Sequence, residues 1–420
     1  MRRCVVVGSG AREHALAWGL AKGADVVVTP GNAGIAAHGF TCVDTPPTDL
    51  EGDLFVIGPE QPLVDGLADR LRAQGKTVLG PGADGARLEG SKAWMKEFLA
   101  SAGVPTAAFG SFRDEAPAIA FLATLEPPYV VKTDGLAAGK GVLVTDDFAL
   151  ACADVHDKLS GVAFGDAGTT VVIEEGLVGE ECSLHFLCDG ASARALAPAQ
   201  DFKRVADGDR GANTGGMGAF APMASMTNDQ VRWVQSNIVE PTVRELNARG
   251  IDFRGVLYAG LMLTASGPKL LEYNVRFGDP EAEVLIPLVS PPHGLYDQLL
   301  GVATGSMGAS SVRSEGSAVT VVLASHGYPE SPRLGDVIDG LGDDGQLKEP
   351  IEGVTVFHAG TRRVDDGAFV TAGGRVLAVT GVADTLDDAR RRAYEGASLI
   401  TFEGKVMRTD IARVAAKGER

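Results

Sequence analysis

The first eighty residues alternate short apolar runs with amphipathic stretches. Four apolar runs predict strands, at 3–7, 25–29, 53–57 and 76–79. The stretches between them predict helices, one running through 14–22 and another at 63–74. Strands that alternate with helices form a parallel sheet with helices on its faces. The pattern therefore predicts a doubly wound domain at the start of the chain, to which we assign residues 1–101.

The pattern changes in the middle of the chain. From 128 to 190 the predicted order is strand, glycine loop, strand, helix and two further strands. Four strands and a helix in about sixty residues indicate a small independent lobe. A long helix is expected at 227–249, and the strands 255–263 and 269–274 are expected to form a hairpin.

The last quarter of the chain predicts a smaller α+β domain at 317–420, preceded by a Gly- and Ser-rich linker at 303–316. Its expected elements are strands at 318–323, 354–358 and 375–380 and a helix at 385–400. The pair Gly373-Gly374 is expected to turn the last hairpin. This tail would either close over a site or only pack beside it, and the sequence does not choose.

Polar and glycine-rich loops leave the carboxyl edge of the predicted parallel sheet, where ligands bind in open α/β sheets. Their candidate ligand-binding residues are Gly8, Gly10, Asn32, Gly34 and Glu60. Backbone N–H groups at the first strand–helix turn suit an anion. A dinucleotide is disfavoured because Glu13 replaces the third glycine of GxGxxG and Thr29 stands where an acidic residue is expected. A single sugar phosphate fits as well, and a solvent-facing carboxylate remains the simpler interpretation of Glu60.

Two lysines bracket the glycine loop of the predicted lobe, Lys132 and Lys140. Glycines let backbone N–H groups approach an anion and lysines add charge, which suits a polyphosphate. The loop is not the common P-loop, because the chain contains no GxxxxGK[ST]. A flexible surface turn with two solvated lysines is the equally weighted alternative. Lys92 and Lys96 lie four residues apart on a predicted helix of 88–100, with Ser91 as its cap, and share a face.

Carboxylates supply the other half of a nucleotide site. Glu174 and Glu181 flank a turn that contains Gly179, so both are able to reach one cleft, although such glutamates are ordinarily solvated. On the strand at 269–274 and just beyond it, period-two alternation places Glu272, Asn274 and Arg276 on one face. Carboxylate and amide oxygens suit Mg²⁺ bridged to phosphates. The alternative is a salt bridge between Glu272 and Arg276.

Composition narrows the classes of function. The chain has 420 residues and a net charge of −17, and no extended basic run is present, which argues against nucleic-acid binding. The five cysteines are odd in number and contain no C-x-x-C pair, which indicates free thiols in a reducing compartment. No apolar run approaches the roughly 20 residues that span a membrane. We expect a cytoplasmic protein with no membrane partner, and no signal peptide at its start.

Nine short motifs occur in a fixed order along the chain. They lie at 8–15, 30–34, 58–60, 88–92, 132–142, 200–204, 213–219, 274–281 and 358–361. Together they resemble the glycinamide ribonucleotide synthetases (phosphoribosylamine–glycine ligases), a family of the ATP-grasp superfamily. Each motif is weak alone, but the resemblance covers nearly the whole chain.

The resemblance implies a reaction and a domain plan. ATP would phosphorylate glycine, and 5-phosphoribosylamine would attack the glycyl phosphate to give glycinamide ribonucleotide, ADP and phosphate in purine biosynthesis. The expected parts are a sugar-phosphate domain at 1–101, an ATP-grasp domain at 102–303 and a C-terminal domain at 317–420. A lid at about 128–190 would cover ATP and Mg²⁺ or Mn²⁺. We expect the protein to act as a monomer.

The resemblance also assigns roles to residues. ATP is expected to contact Lys92, Lys132, Lys140, Glu174, Glu175, Leu177 and Glu181. Glu272 and Asn274 match the metal ligands. Phosphoribosylamine is expected near Gly8, Gly10, Asn32, Gly34 and Glu60, and the glycine and phosphoryl-transfer site near Asp201, Lys203 and Arg276.

The chain departs from the family pattern at a few positions. Phe202 stands where His is usual, which puts any obligatory histidine there in doubt, and Tyr273 and Val275 flank Asn274 in place of Phe and Cys. Alternatives remain open at this stage. They are another ATP-grasp carboxylate–amine ligase or carboxylase, a nicotinamide-dependent oxidoreductase suggested only by the first glycine loop, and a non-catalytic nucleotide-binding regulator.

Overall fold

The computed structural model of the chain describes most of its length. The described residues are 2–135, 141–161, 170–289, 294–308 and 314–413. Among them, no helix combines the length and the apolar character needed to cross a membrane.

The N-terminal region is a five-stranded, wholly parallel sheet in the order β3-β2-β1-β4-β5. Its strands are β1 (Arg3–Gly8), β2 (Asp25–Pro30), β3 (Thr41–Cys42), β4 (Leu54–Ile57) and β5 (Val78–Leu79). Its helices are α1 (Ala11–Leu20), α2 (Ala33–Ala37), α3 (Glu60–Val64), α4 (Leu67–Ala73) and α5 (Ala83–Gly90). The apolar runs of β1 and β4 are buried along their lengths, as expected for strands covered on both faces. The predicted doubly wound sheet is confirmed.

Two predicted helices have different bounds in the structure. The single helix expected at 63–74 is divided into α3 and α4, because Gly66 adopts a left-handed conformation with φ of 75°. The helix expected at 88–100 begins later, as α6 (Lys92–Ala102), and residues 88–90 end α5 instead. The predicted cap is confirmed, since the Ser91 hydroxyl accepts a hydrogen bond from the Trp94 N–H at 3.1 Å.

The lobe that follows is a four-stranded sheet in the order β6-β9-β7-β8. Its elements are β6 (Phe109–Phe112), α7 (Glu115–Leu122), β7 (Tyr129–Thr133), β8 (Val142–Thr145), α8 (Phe148–Leu159) and β9 (Val171–Glu175). The predicted hairpin around the glycine loop is confirmed by the antiparallel pairing of β7 with β8. Lys140 lies in that loop, outside the described residues.

The prediction that the strand at 182–188 is the fourth strand of the lobe is wrong. It lies in β10 (Glu180–Asp189), which pairs over its full length with β16 (Arg254–Thr264) in another sheet. Backbone contact between the two strands is close, since a Cβ at Gly179 would lie 2.3 Å from the Leu263 carbonyl oxygen. The lobe takes its fourth strand, β6, from residues before the predicted range.

The central sheet has the order β11-β10-β16-β17, with β11 at Ala193–Ala195 and β17 at Gly267–Asn274. The predicted hairpin is confirmed by the pairing of β16 with β17. The predicted long helix is confirmed as α9 (Asn228–Val234), a π-helical turn (Gln235–Val239) and α10 (Glu240–Ala248) in succession. Two further helices follow, α11 (Ala282–Leu288) and α12 (Leu295–Ala303).

A third large sheet joins the central region to the tail, in the order β12-β15-β18-β23-β20. Its strands are β12 (Gln200–Asp201), β15 (Gly218–Ala221), β18 (Ser317–Ala324), β20 (Val354–His358) and β23 (Arg375–Ala383). The tail is therefore continuous with the central region of the molecule, because β12 and β15 extend its sheet.

The remaining elements complete the tail and the loop before it. They are β13 (Arg204–Ala206), β14 (Arg210–Asn213), β19 (Val337–Ile338), β21 (Thr361–Arg363), β22 (Phe369–Thr371) and α13 (Leu386–Leu399). The three predicted tail strands and the tail helix are confirmed. The hairpin expected at Gly373-Gly374 is wrong, because β22 pairs with β19 and β21 while β23 pairs with β18 and β20.

Candidate active site

A buried group of two lysines and one glutamate lies where the lobe meets α6. The Glu174 carboxylate on β9 binds the Lys132 Nζ on β7 and the Lys96 Nζ on α6, both at 2.8 Å. Burial lowers the pKa of Lys96 to about 8 although Glu174 raises it, whereas Glu174 and Glu272 outweigh burial and raise the pKa of Lys132. We call Lys96, Lys132, Glu174 and Glu272 the lysine cluster. Lys96 had been placed by sequence only on a helix face, without a partner.

The start of the glycine loop is fixed on the N-terminus of α6. The Asp134 carboxylate accepts hydrogen bonds from the Ala93 N–H and the Ser91 hydroxyl, all at 3.1 Å. The Lys92 Nζ donates to the Gly135 carbonyl at 3.0 Å. Lys132 therefore lies near the end of β7, and Lys92 is bound to the start of the loop that follows it.

The segment that connects the lobe to the central sheet follows Glu174. The Glu175 carboxylate accepts from the Lys269 Nζ at 2.9 Å and from the Ala108 N–H at 3.1 Å, which ties β9 to β17. Leu177 is half-buried and Val178 is 76% exposed. The junction therefore presents an apolar side chain to solvent.

Glu272 projects toward three lysines, Lys203, Lys132 and Lys92. These cations outweigh burial, lower the pKa of Glu272 and keep it ionised. Among the described residues, its carboxylate makes no hydrogen bond or ion pair. Asn274, two residues on, offers its Oδ1, which is 3.4 Å from an Arg276 nitrogen.

These two oxygen donors fit a divalent cation that takes its remaining ligands from phosphates. Within the described ranges, no group of three or more His, Cys, Asp or Glu side chains is arranged to hold a metal ion. A carboxylate and an amide oxygen without further protein ligands are typical of Mg²⁺ sites that include nucleotide phosphates.

A second charged group lies beside the first, on β10 and β12. The Lys203 Nζ is 2.6 Å from the Glu181 carboxylate and 3.6 Å from that of Asp201. Burial raises the pKa of Asp201 to about 7, although Lys203 lowers it, and the carboxylates of Glu281 and Glu181 raise it further. Asp201 is thus able to gain or lose a proton near neutral pH.

Glu281 is a buried carboxylate that had been noted only as the end of a motif. It accepts a hydrogen bond from the Ser183 hydroxyl at 2.9 Å, and Ser183 also contacts the Tyr258 hydroxyl at 2.9 Å. Its charge faces Asp201. The acidic side of the site is therefore larger than the sequence predicted.

Arg276 connects the central sheet to the N-terminal region. Its guanidinium is 2.7 Å from Glu89 and 3.2 Å from Glu60. The alternative salt bridge between Glu272 and Arg276 is wrong, because Arg276 pairs with these two glutamates instead. Burial and the neighbouring Glu60 raise the pKa of Glu89 against the effect of Arg276, and its second oxygen accepts from the Val275 N–H at 2.8 Å.

The first glycine loop is filled by a side chain. The Glu13 carboxylate accepts from the Gly10 N–H at 2.6 Å and from the Arg12 guanidinium at 2.6 Å. Gly8 has φ of 129°, and a Cβ there would lie 2.6 Å from Glu13. The Gly10 N–H, expected to be available to an anion, is therefore occupied by Glu13. The residue that breaks the dinucleotide motif has a structural function in the loop.

The tail contributes an arginine to the long glycine loop at 211–218. Arg375 donates to the Gly215 carbonyl at 2.7 Å and to the Asp279 carbonyl at 2.8 Å, and its guanidinium is 3.1 Å from the Asp279 carboxylate. The Gly215 N–H donates to the Tyr328 hydroxyl at 3.1 Å. A Cβ at Gly215 would lie 3.0 Å from the Arg375 guanidinium, so the loop and this side chain are in close contact. No local signal marked either tail residue.

Family models match the chain along nearly all of its length. They are the N domain of phosphoribosylglycinamide synthetase over 2–89, its ATP-grasp (A) domain over 90–282 and its C domain over 318–414. A phosphoribosylamine–glycine ligase from Caulobacter vibrioides is 46% identical over 427 residues, which cover 97% of each chain.

The chain belongs to the phosphoribosylglycinamide synthetase family.

Solved structures agree with this family. The crystal structure of a phosphoribosylamine–glycine ligase from Thermotoga maritima has a TM-score of 0.83 and 37% identity, covering 98% of this chain and 100% of that one. A biotin carboxylase domain from Hydrogenobacter thermophilus, solved with MgADP, has a TM-score of 0.72 at 16% identity, covering 97% and 91% of the two chains. The second likeness shows the ATP-grasp fold alone.

Membership in the phosphoribosylglycinamide synthetase family accounts for the nine short motifs that occur in order along the chain. The bounds of the N and C domain models fall at 89 and 318, whereas we placed the first boundary at 101 and the last at 317. The structure brings Lys92, Lys132, Glu181, Lys203 and the metal candidates to one region. Gly8, Asn32 and Glu60 lie on the N-terminal side, linked to that region through Arg276.

Proposed function

We propose that this protein joins glycine to 5-phosphoribosylamine at the expense of ATP, forming glycinamide ribonucleotide, ADP and phosphate. The observation that carries the proposal is the ionised Glu272 carboxylate, which has no direct partner among the described residues and faces Lys92, Lys132 and Lys203. Such a carboxylate beside several cations suits a metal ion that is bridged to a polyphosphate.

The lysines are proposed to hold the phosphates of ATP. Lys132 is fixed by Glu174, and Lys92 is held at the strand end that leads into the glycine loop. Lys140 is proposed as a third contact and lies outside the described residues. Glu175 and Leu177, at the junction of lobe and central sheet, would border the adenine, and Glu181 would accept the ribose hydroxyls.

Glu272 and Asn274 would hold Mg²⁺ or Mn²⁺, which supplies charge neutralisation for the phosphates when it is bound. Two positions on one strand fix both oxygens on the same side of β17. Arg276, anchored by Glu60 and Glu89, places a rigid guanidinium beside them.

The chemistry follows from the poor reactivity of a carboxylate. Transfer of a phosphoryl group from ATP to the glycine carboxylate gives glycyl phosphate. The amine of phosphoribosylamine then attacks the acyl carbon, and phosphate leaves. Lys203 and Arg276 would stabilise the charge on the moving phosphoryl group, and Asp201, with a pKa of about 7, would exchange protons beside it. The lobe would act as a lid that protects the acyl phosphate from water.

The proposed sugar-phosphate site lies at the loops that carry Gly8, Gly10, Asn32, Gly34 and Glu60. We further propose that the protein acts as a cytoplasmic monomer. Its five cysteines are all free, which suits a reducing compartment.

Phosphate release is the direct test. MgATP, glycine and phosphoribosylamine, formed from ribose 5-phosphate and ammonia, are supplied together, and glycinamide ribonucleotide is identified by mass. We expect release that requires both substrates. Release no greater than in the absence of glycine would exclude the proposed ligase, and equal turnover with other amines would indicate a different carboxylate–amine ligase.

A pair of variants tests the metal assignment within the same assay. Asn274→Ala is expected to lower turnover by roughly tenfold to a hundredfold, whereas Asn237→Ala, at an exposed position on the long helix, leaves it unchanged. Undiminished turnover in Asn274→Ala would contradict the role of Asn274.

A further inference from the structure

Three histidines meet where the N-terminal region contacts the tail. His14 lies on α1, His38 follows α2, and His358 ends β20. The His14 Nε2 is 2.8 Å from the His38 Nδ1, and the His358 N–H donates to the His14 Nδ1 at 2.9 Å. His14 and His358 are fully buried. We call His14, His38 and His358 the histidine relay.

The partners of the relay determine which ring nitrogens carry hydrogens. A backbone N–H only donates, so the His14 Nδ1 is an acceptor and its Nε2–H donates to His38. The His358 Nε2 must donate to the Gly345 carbonyl at 2.8 Å, and in the neutral ring its Nδ1 then accepts from the Thr361 hydroxyl at 2.9 Å. The backbone N–H of His358 therefore makes the His14 ring neutral and gives each of its two hydrogen bonds one direction.

The surroundings of the relay favour these neutral rings. Burial lowers the pKa of all three histidines, that of His358 to about 4. Asp344 is the carboxylate that faces His38, and the Gln346 amide is 3.4 Å from the His38 ring. Aromatic rings also pack against the relay: Phe40, Phe357 and Phe369.

The relay leads directly to Asn32. The Asn32 amide nitrogen donates to the carbonyl oxygens of His358 at 2.9 Å, Ala359 at 3.2 Å and Ser9 at 2.8 Å. Its Oδ1 accepts from the Ile35 N–H and caps α2. Both ends of the side chain are thus used within the protein. Asn32 connects the first glycine loop, α2 and the strand end that the relay fixes.

Close packing makes this connection rigid. The His358 ring lies against Gly34, where a Cβ would be 1.9 Å from the ring. A displacement of β20 would therefore move the Pro30–Gly34 loop and, through Asn32, the loop of Gly8 and Gly10.

We propose that the histidine relay positions Asn32 and the two N-terminal loops for the sugar-phosphate substrate, so that the tail controls the affinity for that substrate. His14 and His358 are positioning residues, since they act through Asn32 and the His358 carbonyl. The proposal rests on the function proposed above. It adds that a change in the relay alters the KM for one of the three substrates more than the KM for the other two.

Replacements of His14 test its two hydrogen bonds separately, one to the His358 N–H and one to His38. Asn places an oxygen near the position of Nδ1 and retains the acceptor for the His358 N–H. Gln places a donor near the position of Nε2 and retains the contact to His38. Phe fills similar space and removes both. His156→Asn, at an exposed histidine of α8, is the matched control.

The experiment measures KM for phosphoribosylamine, glycine and ATP separately in each variant. For His14→Phe we expect KM for phosphoribosylamine to rise about tenfold while the other two change less than twofold. His14→Asn should restore most of the loss and His14→Gln less, because only Asn keeps the bond to β20. Equal changes in all three constants, or no change in His14→Phe, would overturn the proposal.

A second measurement does not depend on turnover. Backbone hydrogen exchange at residues 8–10 and 31–35 should be faster in His14→Phe than in the wild-type protein and nearly unchanged in His14→Asn. Unchanged exchange in His14→Phe would also overturn the proposal. If the wild-type protein does not use phosphoribosylamine but the exchange rates respond as expected, the function fails and the positioning role stands.

Discussion

The lysine cluster and the histidine relay hold two parts of the candidate site by opposite means. In the lysine cluster, Glu174 binds two buried lysines, and charge holds the lobe on α6. In the histidine relay, every ring is neutral and directional hydrogen bonds hold the tail on the N-terminal region.

The difference agrees with the functions that we propose for the two regions. A site for polyphosphate and metal must carry ionised groups, and these are stable when buried only if each faces an opposite charge. A contact between domains needs fixed geometry rather than charge, and neutral donors and acceptors provide it at a smaller desolvation cost.

The largest expected effect is on catalysis at Glu272. Glu272→Gln keeps the shape of the side chain but removes its charge, so kcat for phosphate release should fall by about 10³-fold. The assay is run at saturating substrates, with Glu352→Gln, at an exposed position, as the control. A loss of kcat of less than about tenfold would show that catalysis beside the lysine cluster does not depend on the charge of Glu272.

The next effect is on stability at Glu174. Glu174→Gln removes the carboxylate that pairs directly with the buried Lys96 and Lys132, which should lower the free energy of unfolding by about 3 kcal/mol. Urea unfolding measures this change. Adding Lys96→Met should recover part of the loss, since one uncompensated charge is removed. A single variant as stable as the wild type would mean that the two ion pairs contribute nothing.

The smallest effect, counted over one pH unit, is the pH dependence of stability that arises from the histidine relay. The pKa values of His14 and His358 are depressed in the folded protein, so the unfolded chain binds protons more readily below its own value of about 6.5. The free energy of unfolding should therefore decrease as the pH is lowered from about 6.5 to about 4. Each buried ring should contribute at most about 1.4 kcal/mol per pH unit to this decrease.

Urea unfolding at a series of pH values tests this slope. In His14→Asn the free energy of unfolding should fall less steeply with decreasing pH, because one histidine with a lowered pKa is removed. In His156→Asn both His14 and His358 keep their lowered pKa values, so the steep fall should remain. His185, also buried with a pKa of about 4, contributes to the remaining slope in every variant. Identical slopes in His14→Asn and the wild type would contradict the neutral relay.

The sequence predicted most of the elements and many of the charged residues that the structure brings together. The glycine-loop hairpin, the strand of Glu272 and Asn274 and the parallel N-terminal sheet follow from local periodicity, which acts over a few residues. Errors arose where partners are distant. The strand at 182–188 has the same local pattern whether it joins the lobe or the central sheet, and only its pairing with β16 decides this.

The candidate site shows the same division. Lys96, Glu89 and Glu281 lay in or beside the noted motifs, but their importance depends on Glu174, Arg276 and Asp201, which lie far away along the chain. Arg375 and Tyr328 carried no local signal. Their contacts with the long glycine loop at 211–218 form only when the shared sheet joins the tail to the central region.

The sequence by itself determined which residue types were available and on which kind of element each stands, because short-range sterics and alternation are encoded locally. The tertiary structure decided which charge each side chain faces: Arg276 binds Glu60 and Glu89 rather than Glu272, and Glu13 occupies the first glycine loop. It also decided that His358 lies against Gly34. These choices depend on packing between segments distant in sequence, whose free energy no local pattern contains.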